Sequence, residues 1–265
     1  MSLEIRNHTA ITNRCHGGDA IRRSRHEVTL IDRGVEIFWE MMRREIAMLD
    51  FVNIPSPRGN VVFNFNHDPI GDLTAFALGY REAANRLAKE FMRSARTPDY
   101  AGYPILYLYR HSLELYLKAI VYRGARIMGL LGKTQPEVSK LFKHHGLLTL
   151  ILPVRAIFHA MQWNFALEES ELASFTEFEH FVRRLDSIDS GSYSFRYPID
   201  PGGQAVLQHH LTINIPNFAK IMDPLLGLLE GAAIMLDESF DIAAEAAHEV
   251  QLYLAEANEG GWRRY

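Results

Sequence analysis

The feature that most constrains the fold of this chain is the run from Ile105 to Tyr122, which consists almost entirely of apolar residues and good helix formers. Pro104 stands directly before it, where the first turn of a helix tolerates proline. The run is too long for an ordinary strand. It therefore predicts a central, buried α-helix on which the other elements pack.

Apolar residues recur at helical spacing through most of the rest of the chain, which predicts an all-α fold. A first stripe follows Asp72, a suitable N-cap. Further helices are predicted over residues 137–152 (ended by Pro153), 154–165, 168–188 and 217–258. Serine, glycine and proline between residues 189 and 214 predict a loop or hairpin, with a short strand at Leu211–Ile215.

A cluster of helix breakers, Ile54–Asn60, marks the best candidate for a domain boundary. Before it, residues 27–51 show helical spacing. We therefore predict an N-terminal leader and helical extension over residues 1–60, followed by a helical bundle over residues 61–265 with an acidic C-terminal helix. The complete prediction is an up-and-down helical bundle with an N-terminal helical extension and a short extended or hairpin insertion.

Composition excludes several classes of protein. The 265 residues include a single cysteine, Cys15, so an intramolecular disulfide is impossible. No uninterrupted apolar stretch reaches the ~18 residues that a membrane-spanning helix needs, and the N-terminus lacks the apolar core of a signal peptide. These features predict a cytoplasmic protein without a membrane partner.

Charge is distributed unevenly. Residues 51–150 carry 13 basic and 7 acidic side chains, whereas residues 151–265 carry 7 basic and 17 acidic ones. The basic middle can meet nucleic acid or another polyanion. It can equally meet the acidic C-terminal third of its own chain or of a second copy, and this second interpretation is the favoured one.

Metal and nucleotide motifs do not occur in the sequence. There is no phosphate-binding glycine loop, and the adjacent pairs His144-His145 and His209-His210 point in different directions on a helix. No cofactor and no metal site are predicted.

The central run also carries a charged ladder. Arg110, Glu114 and Lys118 follow each other at intervals of four residues, with Tyr107 and His111 beside them. Spacing alone favours a solvated face with weak ion pairs. The alternative is a polar groove in which Arg110 holds a phosphate, His111 transfers a proton and Glu114 orients them.

Three further residues have two interpretations each. His145 is either a cation at a helix end or a ligand-binding group brought near the ladder by folding. Arg196 either ties its loop to a helix or reaches over the groove. Tyr107 either stacks on a base or belongs to the core. In each case the structural interpretation is favoured, and the functional one makes Tyr107, Lys118, His145 and Arg196 candidate ligand-binding residues.

The strings "YRHSLELYLKAIVYRG" and "KHHGLLTLI" resemble prokaryotic HEPN domains. The match rests on Arg110, Glu114, Leu117-Lys118-Ala119 and His145, with "DLTAFALGYREAANRL" resembling the first HEPN helix and "SFRYPID" a later segment. The resemblance covers about residues 72–235. It implies a helical bundle that commonly forms homodimers, and often a metal-independent ribonuclease of a defence or toxin–antitoxin system.

The ribonuclease signature of that family is an arginine followed five to seven residues later by a histidine. Arg110-His111 matches the arginine and its polar neighbour, but residues 115–117 are Leu-Tyr-Leu. The resemblance then implies the branch of HEPN proteins that pairs with nucleotidyltransferases or acts as a binding module.

Three functional hypotheses follow. The first is a non-catalytic HEPN-like module that binds RNA, a nucleotide or a protein partner such as a nucleotidyltransferase or an antitoxin. The second is a metal-independent endoribonuclease, in which Arg110 holds the scissile phosphate and His111 or His145 is the base. The third is a helical scaffold without a ligand, whose ladder fixes helix register or a dimer.

Overall fold

The computed structural model describes residues 72–94, 98–167, 172–207 and 209–261, with residues 36, 40 and 61 in isolation. The chain divides into two compact units, Met1–Phe63 and Asn64–Tyr265. Apart from residues 36 and 40, the helix predicted over residues 27–51 lies outside the described residues, as does the boundary predicted at residue 60.

The described part of the second unit is a helical bundle, which confirms the predicted all-α class. It contains no strand, only an isolated antiparallel bridge between Ile199 and Ala205. No helix in this part has both the length and the apolar character to cross a membrane. Five α-helices and one short 3-10 helix (Asp99–Ala101) follow in order: α1 Asp72–Arg93, α2 Gly102–Leu130, α3 Leu148–Ala160, α4 Phe175–Ile188 and α5 Ile215–Gly261.

Helix α2 is the centre of the bundle, as its composition predicts. Of its 29 residues, 19 are buried, so the helix is enclosed on every side rather than along one stripe. It packs against α1, α3 and α5. Any polar side chain on α2 must therefore find its partners inside the protein.

Paired contacts along α2 give the directions of its neighbours. Arg123 bonds Thr74, and Tyr109 bonds Asn85, so α1 runs antiparallel to α2. Tyr109 contacts Phe218, and Arg126 lies 4.0 Å from the ring centre of Phe240, so α5 runs parallel to α2.

After α2 ends, residues 131–147 lead the chain back along the bundle toward the beginning of α2. Helix α3 starts there and therefore also runs parallel to α2. Helix α4 then returns antiparallel to α3: Phe175 contacts Phe158 at one end, and Asp186 accepts a hydrogen bond from the Leu147 amide at the other. This path brings residues 144–147 and residue 189 to the same level of α2. That meeting point is the candidate site.

Two local predictions were wrong. Pro153 does not end a helix but lies inside α3, and residues 137–147, predicted as the first part of a helix, form turns and irregular structure. The buried side chains Leu150, Ile151, Val154 and Ile157 give α3 an apolar face that offsets the lost backbone hydrogen bond. Leu211–Asn214 is irregular rather than a strand, and Ile215 already belongs to α5, whose second residue is proline.

Close packing of α2 on α3 gives a test of the fold. A Cβ atom at Gly124 would lie 2.6 Å from Cγ2 of Ile157, a buried and stiff β-branched side chain. We expect Gly124→Ala to lower the free energy of unfolding by about 1–3 kcal/mol, because the overpacking outweighs the better helix propensity of alanine.

Gly79 is the matched control, since it lies in α1 and a Cβ atom there has no neighbour within 4 Å. Gly79→Ala should raise stability by up to about 1 kcal/mol. Urea denaturation of both variants measures the two changes, and a Gly124→Ala protein as stable as Gly79→Ala would contradict the packing described.

Candidate functional site

The charged ladder of α2 lies inside the protein, so the interpretation as a solvated face was wrong. The exposed fractions of Arg110, Glu114 and Lys118 are 0%, 1% and 4%. Charged side chains are buried at this level only when they are paired and hydrogen-bonded. The structure brings all three together, and each has its partners within the site.

Glu114 is the hub of this ladder. Its Oε1 atom accepts a hydrogen bond from Nζ of Lys118 at 2.7 Å and lies 2.9 Å from Nδ1 of His145. Its Oε2 atom accepts from Nη1 of Arg110 at 3.3 Å. Burial by itself would raise the pKa of the Glu114 carboxyl, but the bonds and charges of Lys118 and His145 more than offset it and hold that pKa below its usual value.

Arg110 ties two distant segments to α2. Its Nη2 atom donates to the carbonyl oxygens of His145 and Asp189, both at 2.9 Å, and its Nε lies 3.1 Å from Oδ2 of Asp189. Lys118 adds a hydrogen bond of 2.9 Å to the carbonyl oxygen of His144. The cations of the ladder thus bind backbone carbonyls that no helix or sheet satisfies.

Carboxylates complete the connection between the segments. Oδ1 of Asp189 accepts from the Ser194 amide at 2.9 Å and so shapes the loop after α4. Oδ1 of Asp186 accepts from the Leu147 amide at 2.9 Å at the start of α3. Burial raises the pKa of the Asp186 carboxyl.

Two histidines connect the buried ladder with the protein surface. The His145 side chain is 49% exposed, although its Nδ1 contacts the buried Glu114. His111 is half-buried, stacks on Tyr107 with ring centres 5.4 Å apart, and meets Tyr80 edge-on at 4.6 Å. Burial lowers the pKa of His111, so its ring is neutral at neutral pH.

Arg196 lies on the loop after α4 and remains exposed, but it also meets α2. Its guanidinium carbon lies 5.5 Å from the ring centres of Tyr107 and Tyr193, and 5.7 Å from that of Tyr197. Its Nε donates to the carbonyl oxygen of Ser192, which has a left-handed backbone conformation with φ of 62°. Arg196 therefore links its loop to α2, as the structural interpretation predicts, and keeps an accessible face.

A cleft of about 470 Å³ opens beside Arg196. Its lining is aromatic and apolar apart from that arginine and one serine: Tyr103, Ser194, Phe195, Arg196, Tyr197, Pro198 and Leu207. Sequence reasoning missed Tyr103, Tyr193 and Tyr197 as members of the site. The signal for two of them was the alternation of tyrosine with polar residues around Arg196 in the string "SYSFRYP".

Metal binding receives no support from the described part of the chain, because no three histidine, cysteine, aspartate or glutamate side chains come together there. The accessible chemistry consists of one guanidinium, two imidazoles and several phenol rings. Such a surface can stack on planar groups and hold an anion.

Comparisons with protein-family models, with curated proteins and with solved structures found no match.

Loss of the hub should destabilise the bundle strongly. Glu114→Ala leaves Arg110 and Lys118 buried beside each other without their shared carboxylate, and we expect a loss of about 3–5 kcal/mol in the free energy of unfolding. Glu82→Ala is the control, because Glu82 also pairs with an arginine four residues away but at the surface. That control should change stability by a few tenths of a kcal/mol, measured by thermal and denaturant unfolding.

The decrease in stability at acidic pH should depend on the same Glu114 carboxylate. A carboxyl whose pKa is depressed on folding contributes stability above its unfolded pKa, and this contribution is lost as the pH falls through the folded value. The stability of the wild type should therefore fall more steeply below about pH 4.5 than that of Glu114→Gln, a variant that cannot titrate at this position. Parallel stability curves for the two proteins would show that folding does not lower the pKa of Glu114.

Proposed function

We propose that this chain is a non-catalytic helical module that binds single-stranded RNA on the surface formed by Tyr103, Tyr107, Arg196, Tyr197 and His111, called here the tyrosine–arginine surface. The observation that carries the proposal is the exposed guanidinium of Arg196 amid three tyrosine rings, at the edge of a cleft of about 470 Å³. That volume suits a single nucleotide unit.

Single-stranded nucleic acid is bound by this combination of groups because each base offers a flat face and each linkage an anionic phosphate. Aromatic rings stack on successive bases, and arginine contributes both charge and a stacking plane. Tyr103 and Tyr197 are 47% and 53% exposed, so their faces are accessible to a base. Duplex RNA fits less well, because its bases are already stacked on each other.

The resemblance to HEPN domains also supports RNA binding, since it implies a module that binds RNA or nucleotides. The buried ladder has a positioning role in this proposal. Arg110 has no exposed surface, so it holds the loop that carries Arg196 rather than a phosphate. The contribution of Glu114 and Lys118 is likewise to fix residues 144 and 145 against α2.

Binding to a labelled, short, mixed-sequence single-stranded RNA tests the proposal by fluorescence anisotropy. We expect Arg196→Ala and Tyr197→Ala each to raise the Kd about tenfold or more, since a stacked base contributes about 1–3 kcal/mol. Arg196→Lys should recover only part of the affinity, because lysine keeps the charge but not the plane.

Arg184→Ala and Tyr100→Ala are the matched controls, because both residues are exposed and neither lines the cleft. They should leave the Kd unchanged. Equal losses in all four variants would indicate non-specific attraction. Binding of free mononucleotides alone, or of neither probe, would point instead to a nucleotide or a protein partner.

An endoribonuclease is the second candidate, favoured by the contact between Glu114 and His145. A buried carboxylate that holds Nδ1 of a histidine leaves Nε2 free to take a proton, as a general base requires. His111 lies within electrostatic reach of both His145 and Arg196. In such a reaction, without a metal ion, the imidazole would take the proton of the ribose 2′-hydroxyl as its oxygen attacks the adjacent phosphate. The bond from phosphorus to the 5′-oxygen would break, and the products would be a 2′,3′-cyclic phosphate and a 5′-hydroxyl that has taken up a proton.

Cleavage of the same RNA in EDTA distinguishes a binding module from a nuclease. For a binding module, the wild type leaves the RNA intact. Cleavage that His145→Ala and His111→Ala both lose, with helix content unchanged by circular dichroism, would establish the nuclease. Cleavage that both variants retain would point to a contaminating enzyme.

A further inference from the structure

The C-terminal part of α5 has an exposed apolar stripe beside an acidic one. Ile242, Ala246, Val250 and Tyr253 are spaced by four, four and three residues, so they share one face of the helix. Three of them are large, and they are 69%, 58% and 72% exposed. Glu238, Asp241, Glu245, Glu249 and Glu256 follow the neighbouring line of the same helix.

This segment extends beyond the bundle. Arg126 on α2 is level with Phe240 on α5, and α2 ends four residues later at Leu130. Because the two helices run parallel, residues 245–261 of α5 continue past the end of α2 for about 25 Å. We call residues 238–256, whose side chains the structure describes, the acidic tail helix.

The charges of the acidic tail helix are unfavourable in isolation. Asp241, Glu245 and Glu249 repel each other at intervals of four residues. Negative charge near the C-terminal end of a helix also opposes the helix dipole, and no lysine or arginine occurs between residues 221 and 261. A basic surface bound alongside would relieve both effects.

A groove of complementary character lies at the same end of the bundle. It has a volume of about 720 Å³ and is formed where α2 ends and α3 runs beside it. Its apolar lining includes Met128, Leu152 and Ala156, and its polar lining includes Lys133, Arg155 and His159. Arg155 also pairs with Glu179 of α4, so Lys133 supplies the most available positive charge. Leu152 is 68% exposed. We call this cavity between α2 and α3 the basic groove.

We propose that two copies of this chain associate by docking the acidic tail helix of each into the basic groove of the other. The tail and the groove carry opposite charges, and every copy of the chain carries both. A second copy is therefore a complementary partner. The apolar stripe of the tail meets Met128, Leu152 and Ala156, while its acidic line meets Lys133 and Arg155. In a dimer with two-fold symmetry this contact occurs twice. The interface then buries twice the area of a single docked tail.

Charge-swap variants of the full chain test the proposal by sedimentation equilibrium. Glu249→Lys, and separately Lys133→Glu, should each raise the dimer Kd about tenfold or more. The protein carrying both changes should return to within about threefold of the wild type, because the attraction is restored with its signs reversed. Failure of that rescue would overturn the proposal.

The apolar stripe has its own test. Ile242→Asp with Val250→Asp should weaken the dimer by about tenfold or more, whereas Met92→Asp, at an exposed apolar residue of α1, should leave it unchanged. A wild-type protein that is monomeric well above micromolar concentration, or a dimer indifferent to the stripe, would contradict the docking.

A disulfide identifies the chain that supplies the tail. In a Cys15→Ser background, Glu249→Cys with Lys133→Cys should give a covalent dimer on oxidation, because a disulfide forms only between cysteines whose Cα atoms are about 7 Å apart or less. An internal disulfide in a monomer would place the tail in its own groove and overturn the proposal. Glu82→Cys with Lys133→Cys is the control that should not cross-link.

Discussion

The carboxylate of Glu114 is the interaction on which the rest of the bundle depends. It lies in the most enclosed helix of the protein and contacts Arg110, Lys118 and His145. Without it, two cations would be buried next to each other in a medium of low dielectric constant. With it, they are free to bind the backbone carbonyls of residues 144, 145 and 189. One acidic side chain thus fixes the two segments that leave and re-enter the bundle beside α2.

This arrangement separates the groups that hold the site from those that form its surface. Arg110 and Lys118 are buried and fully engaged, whereas Arg196, Tyr197 and His145 are accessible. The buried cations affect the surface only indirectly, by holding the segments that carry the accessible residues. A substitution at Arg110 therefore changes the loop of Arg196, and its effect on a ligand has to be separated from its effect on folding.

Sequence patterns predicted the helices well because burial leaves a period in the chain. The stripe after Asp72 and the continuous run to Tyr122 both became helices of the expected kind. The ladder was harder, since intervals of four residues look the same on a solvated face and in a core. What decides its burial is the path of residues 131–147 and the return of α4 to Asp189, and neither has a local signature. Tyr103, Tyr193 and Tyr197 were missed as members of the site because the loop after α4 meets α2 only in the folded chain.

Arg110 and Asp189 are separated by 79 residues, and their contact has a consequence for the order of folding. Helices α1 and α2 are neighbours in sequence and can associate early, but the arginine finds its acceptors only after α3 and α4 have been laid down. On the ribosome, the surface around Arg196 therefore forms late, when most of the bundle has already been synthesised. A nascent chain that ends before Asp189 has Tyr103 and Tyr107 of this surface but neither Arg196 nor the loop that Arg110 holds in place.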